Sequence, residues 1–134
     1  MDLDLDLAVR QSNDNPVYYA QYAYARICSL FRKSESYKFV KEFKKIDLEK
    51  TKKIIMTLIQ YPNVVKEAAE KRIPHRISQY VLSLAATLHG YYNDEKILSD
   101  DIEEMNEKLT LLNAVKIVLK NSLELLGVGV KEEM

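Results

Sequence analysis

A chain of 134 residues, 47% of them hydrophobic, is long enough for one domain with its own core, and its 20 basic and 20 acidic side chains leave no net charge to hold DNA nonspecifically. The single cysteine, Cys28, excludes an internal disulfide framework and argues against a thiolate-ligated zinc. No apolar run approaches the roughly 18 residues of a membrane span, and Asp2, Asp4 and Asp6 stand where a signal peptide would be positive, so a cytoplasmic domain is expected.

The amino end, MDLDLDLAV, alternates Asp and Leu with the period of a strand but has no second strand to pair with. Residues 1–15 are therefore expected to be an interdomain joining segment, irregular here or paired between chains. Residues 16–134 form the helical domain. SNDN at 12–15 offers N-cap residues and Pro16 suits a first helical position, so the first helix is predicted from Pro16 to about Lys33. After the polar SES at 34–36, a Lys-rich stretch is expected to hold one short helix near 37–45. Asp47 is placed to cap a helix running to about Gln60, with Leu48, Ile54, Ile55, Leu58 and Ile59 as its apolar face. Pro62 opens the next, which stops before Pro74. From Pro74, Ile77, Val81, Leu84, Leu88, Tyr91 and Tyr92 keep helical spacing. A last helix from about Asp101 repeats it with Met105, Leu109, Leu112, Val115, Leu119 and Leu126, closed by Gly127. Five or six helices with short connections predict an all-α bundle.

Charge is segregated along the neutral chain. Residues 32–53 carry nine Lys or Arg against four acids, while residues 94–107 carry seven acids against one lysine. The basic stretch can attract a polyanion, and the acidic one is expected to lie away from it or to serve a partner.

Catalytic or metal chemistry finds little support. His75 and His89 share a face of one predicted helix but lie roughly 21 Å apart, too far to share an ion. A lone helical histidine is more often structural or merely exposed. The three glycines form no phosphate loop, and no nucleophile with a base and an orienting group emerges.

The tyrosines are more informative. NPVYYAQYAYARICSL, residues 15–30, places four of them within seven positions. On a helical wheel Tyr19, Tyr22 and Arg26 share an arc of about 60°, while Ala20, Tyr24, Ile27 and Phe31 occupy another. The second arc has the character of core. The first combines π faces with a cation, the means by which proteins hold unstacked bases, although an aromatic stripe packed beneath another helix would look the same.

Three segments then point to one family. NPVYYAQYAYARI, preceded by DLDLAVRQSND, resembles the opening of the anticodon-binding domain of arginyl-tRNA synthetases, whose common form has a tyrosine followed by QYAHAR. YPNVVKEAAEKRIPHRISQYVLSLAATLHGYYN is similar to the family's middle helices, and VLKNSLELLGVGVKEEM to its carboxyl terminus with a final methionine. The likeness runs from about Asp4 to Met134. Tyr24 departs from the usual histidine. Asn113, Ala114, Val115 and Lys116 resemble a relaxed Asp-Ala-Leu-Arg signature, in which lysine lacks arginine's bidentate fork.

The resemblance implies the all-α bundle of a class I synthetase anticodon-binding (DALR-type) domain that binds the anticodon stem and loop of tRNA-Arg. It implies RNA contact by Tyr19, Tyr22 and Arg26 on the first helix, by Tyr92 with Asn93 beside it, and by Met134 near an anticodon base. The base to be read is a middle cytosine. With neither HIGH nor KMSKS in the sequence, the chain alone is not expected to be an enzyme or to hold a cofactor. ATP and Mg would belong to the catalytic domain of a parent arginine-tRNA ligase, to which this segment would be joined. A free-standing helical protein-interaction module or adaptor is the alternative.

Overall fold

The computed structural model describes residues 16–34, 36–130, 132 and 133, and within these it is all-helical. Five helices follow in order: α1 (Pro16–Lys33), α2 (Leu48–Ile59), α3 (Tyr61–Lys71), α4 (His75–Asp94) and α5 (Ile102–Leu125). The joining segment expected at residues 1–15 lies outside the described residues.

Local chemistry sets the boundaries. Asp47 and Asp101 take extended backbone and accept amide protons of the following turn, from Glu49 and Lys50 in α2 and from Glu104 in α5. Pro62 sits in the first turn of α3, where its missing N–H is of no consequence. That helix ends at Arg72 in the left-handed region, whose amide bonds back to Ala68. At the end of α5, Gly127 has φ +78° and donates to Glu124 while Val128 donates to Leu123, the paired bonds of a Schellman cap. Leu126 is thus the cap and Gly127 the residue just beyond it.

The core is built where α1 and α4 pack on each other and on α5. Ile27 of α1, Leu84 and Leu88 of α4, and Leu109, Leu112, Val115, Leu119 and Leu123 of α5 are sealed from solvent. On α2 the buried positions are Thr51, Ile54 and Thr57, with Ile55 and Leu58 at the margin. Leu48 and Ile59, expected on the apolar face, are exposed because they lie on the rim of the arc that meets α4. Three tyrosines are core: Tyr24, Tyr80 and Tyr91. Tyr80 meets the polar demand of a buried phenol by donating to the Thr57 carbonyl at 2.7 Å, and burial pushes its pKa up to about 12.

The short helix expected near 37–45 is absent, and the reason is where its amides go. Lys38 N–H donates to Asn106 Oδ1, Val40 N–H to Thr110 Oγ1, and the amides of Lys44, Lys45 and Ile46 all donate to the Glu107 carboxylate at 2.7–3.2 Å. A backbone whose donors are taken by side chains of another helix has none left for its own i−4 carbonyls. The same contacts bury Asn106, Glu107 and Thr110, positions that helical periodicity alone would leave in water.

Charge segregation is resolved in the same way. Lys45 lies 3.5 Å from both Asp101 and Glu103, and Lys50 lies 3.7 Å from Glu95. Lys108, 3% exposed, bridges Glu104 at 2.8 Å and Glu95 at 3.7 Å and donates to the Lys96 carbonyl. The acidic segment therefore keeps its Asp101 and Glu103 carboxylates exposed while also engaging its own chain. It holds part of the basic stretch of its own chain.

Candidate nucleic-acid interface

Helix α1 lies along α4, and where they meet the arc predicted from the wheel is present. Tyr22 is 38% exposed, while Tyr19 and Arg26 are half-buried. Facing them from α4 are His89 and Tyr92, three residues apart and so on one side of that helix.

The five side chains form a continuous shelf. The His89 ring lies 4.9 Å from Tyr19 and stacks at 5.8 Å on Tyr22. The Arg26 guanidinium carbon is 4.0 Å from the Tyr92 ring centroid and 5.8 Å from that of Tyr22, a cation held between two π faces. Arg26 Nη1 also lies 3.4 Å from His89 Nδ1. Arginine has no acceptor, so Nδ1 accepts, and the proton of a neutral His89 ring resides on Nε2. Nε2 is buried with no hydrogen-bond partner. Burial first, and the Arg26 charge second, hold the His89 pKa below its ordinary value and keep the ring neutral. Burial likewise raises the Tyr19 pKa, with Arg26 opposing.

Beside the shelf a cleft of about 400 Å³ is lined by Tyr22, Ala25, Arg26, Ser29, Arg32 and Glu133. The tail after α5 forms its far wall. Gln21 Nε2 donates to the Gly129 carbonyl at 2.9 Å, and Arg32 Nη1 donates to the Glu132 carbonyl at 3.1 Å, so the tail is fastened along α1. Met134 itself lies outside the described residues.

Of the residues predicted for the site, Tyr19, Tyr22, Arg26 and Tyr92 come together. Asn93 is exposed on the next position of α4 and, among the described residues, its side chain makes no hydrogen bond within the chain. His89, taken from sequence as structural or merely exposed, is the ring that joins both phenols to the guanidinium. The signal for it was its i, i+3 relation to Tyr92. His75 is exposed and has no part in the site. Lys116, last of the relaxed signature, lies 5.1 Å from the Phe31 ring, where it packs on the flank of α1.

On one face this helical bundle presents the phenols of Tyr19, Tyr22 and Tyr92, the imidazole of His89 and the guanidinium of Arg26. The DALR anticodon binding domain model matches residues 20–134, and the chain belongs to that family. It is 48% identical over its whole length to the arginine–tRNA ligase of Bacillus subtilis and 45% identical to arginine–tRNA ligase 2 of Bacillus thuringiensis, and spans 25% of the length of each. Among solved structures it resembles a putative arginyl-tRNA synthetase of Campylobacter jejuni, with TM-score 0.78 and 29% identity over 90% of this chain and 27% of that one. The arginyl-tRNA synthetase of Thermus thermophilus gives TM-score 0.72 and 31% identity over 87% of this chain and 21% of that one.

Proposed function

We propose that this domain reads the anticodon loop of tRNA-Arg as the anticodon-binding part of a cytoplasmic arginine–tRNA ligase. The observation that carries the reading is the shelf of Tyr19, Tyr22, Arg26, His89 and Tyr92, partly open to solvent and bordered by a cleft. Single-stranded loops are legible because their bases can leave the stack, lie against rings and expose their hydrogen-bonding edges. Tyr22 offers the most accessible face. Arg26, fixed between Tyr22 and Tyr92, supplies a cation at the shelf that attracts the phosphate of a stacked nucleotide. A middle anticodon cytosine presents one donor and two acceptors, and the unoccupied amide of Asn93 supplies both complements. Met134, the residue after Glu133, is the further contact the family likeness suggests.

Aminoacylation itself, with its ATP and Mg, would belong to the catalytic domain of the parent enzyme; this chain's task is to hold the loop so that the acceptor end reaches that domain. A free-standing adaptor would instead dock a protein through the acidic 94–107 segment or the tyrosine face; Lys45, Lys50 and Lys108 already pair with part of the first. The deciding experiment is filter binding of a tRNA-Arg transcript against the same tRNA with its middle anticodon base exchanged. Preference for the native anticodon is expected. Equal affinity for the two would overturn the reading.

A further inference from the structure

The chain beyond α5 is fastened by a residue that belongs neither to the core nor to the shelf. After the turn at Gly127, Val128 and Val130 are half-buried, and Val130 packs against the core. Between them Gly129 is exposed, and its carbonyl accepts from Gln21 Nε2 at 2.9 Å. Three residues further on, the Glu132 carbonyl accepts from Arg32 Nη1 at 3.1 Å. The tail therefore runs beside α1 and in the same direction.

The helical wheel of α1 shows what this placement controls. With Tyr19 at zero, Gln21 and Arg32 fall at about 200° and 220°, Ala25 and Ser29 at about 240° and 280°, and Tyr22 and Arg26 at about 300° and 340°. One strip of the helix fastens the tail, the next is the floor of the cleft, and the third is the shelf. Glu133 lines the cleft from the tail side, so the width of the cleft is set by where the tail lies. Gln21 is not among the residues that line it.

Both fastening bonds are exposed, so water satisfies their donors and acceptors when they part, and their contribution to folding is small. Their effect is on position. A wall that swings freely must be ordered each time a ligand enters, whereas a fastened wall is ordered beforehand and leaves more of the contact energy for affinity. We infer that Gln21 is a positioning residue for RNA reading: through the Gly129 carbonyl it holds the tail as the second wall of the cleft beside Tyr22 and Arg26. This inference rests on the RNA-reading function and adds to it a residue that acts through the tail without touching the nucleotide. Arg32 shares the fastening, but it also lines the cleft, so its removal would not separate the two roles.

The test is a double-mutant cycle on affinity for a tRNA-Arg transcript. Gln21→Met keeps the length and helix propensity of the side chain and removes its donor. In the full chain it should weaken binding about fivefold, the equivalent of one net hydrogen bond, with melting temperature and salt dependence unchanged because no charge has moved. In a chain ending at Val128, which keeps the Gly127 turn and lacks the acceptor, the same substitution should leave affinity as it was. Equal losses in the two chains would show that Gln21 acts without the tail and would overturn the inference, as would unchanged affinity in the full chain. A readout independent of RNA is trimming of the last residues by carboxypeptidase, expected to be faster in Gln21→Met than in the unaltered chain; equal rates would also overturn it. Failure of the unaltered chain to distinguish the exchanged anticodon would instead overturn the RNA reading while leaving the trimming rates as they are, so the two failures are separately visible.

Discussion

Replacing Tyr22 by alanine separates the tool from the core, with Tyr24→Ala as its control two residues away. Tyr22 is 38% exposed, and its ring contacts are the His89 stack and Arg26, both at 5.8 Å. An aromatic pair contributes about 0.5–1.5 kcal/mol and an exposed cation–π contact about 0.5–1 kcal/mol. Alanine returns a few tenths of a kcal/mol through its better helix propensity. The net cost to folding is about 1 kcal/mol, a fall of roughly 3–5 °C in melting temperature for a domain of this size. Binding should suffer more, because one stacked base contributes about 1–3 kcal/mol, or roughly 5- to 150-fold in Kd. Tyr24, 6% exposed, should behave in the opposite way. Its truncation leaves a cavity costing about 3–5 kcal/mol, while the molecules still folded bind RNA normally. Thermal melts by circular dichroism and anisotropy with a labelled anticodon stem-loop at 25 °C measure both quantities. A Tyr22→Ala protein that melts as early as Tyr24→Ala, with RNA affinity intact in its folded fraction, would refute the assignment of that ring to solvent and nucleotide.

Two further outcomes follow from the same contacts. His89 has its folded-state pKa below the unfolded value, so the unfolded chain binds a proton that the folded one rejects, and stability should decline as pH falls below about 6.5 toward that lowered pKa. Urea melts from pH 8 to 5 should show this extra slope in the native protein and lose it in His89→Gln; equal slopes would mean that the histidine titrates alike in both states. Glu107→Ala removes the acceptor shared by the amides of Lys44, Lys45 and Ile46, so unfolding free energy should fall by about 3 kcal/mol or more, with faster hydrogen exchange at those three amides. A loss below about 1 kcal/mol would show that water replaces the carboxylate freely.

Local and periodic information was sufficient for the parts of this protein that are local and periodic. Asp47, Asp101 and Gly127 mark helix boundaries through bonds made within a few residues of themselves, and Pro16 and Pro62 through a fixed φ and a missing N–H, so they are legible without a fold. The arc of Tyr19, Tyr22 and Arg26 is equally local, because helix geometry alone determines which side chains of α1 project together. Whether that arc faced water, and what lay across from it, depended on how α1 docks along α4. That docking brought His89 and Tyr92, more than sixty residues away in the chain, against the guanidinium. The loop at 36–46 reads by composition as a basic helix and becomes a bound strap, because Asn106, Glu107 and Thr110 on α5 offer its amides better-placed acceptors than its own carbonyls. The recess lined by Lys53, Gly90 and Tyr91 is likewise a product of α2 and α4 meeting. A sequence records which donors, rings and charges exist, whereas their partners across a bundle are decided by packing, in which a contact between distant residues carries no local signature.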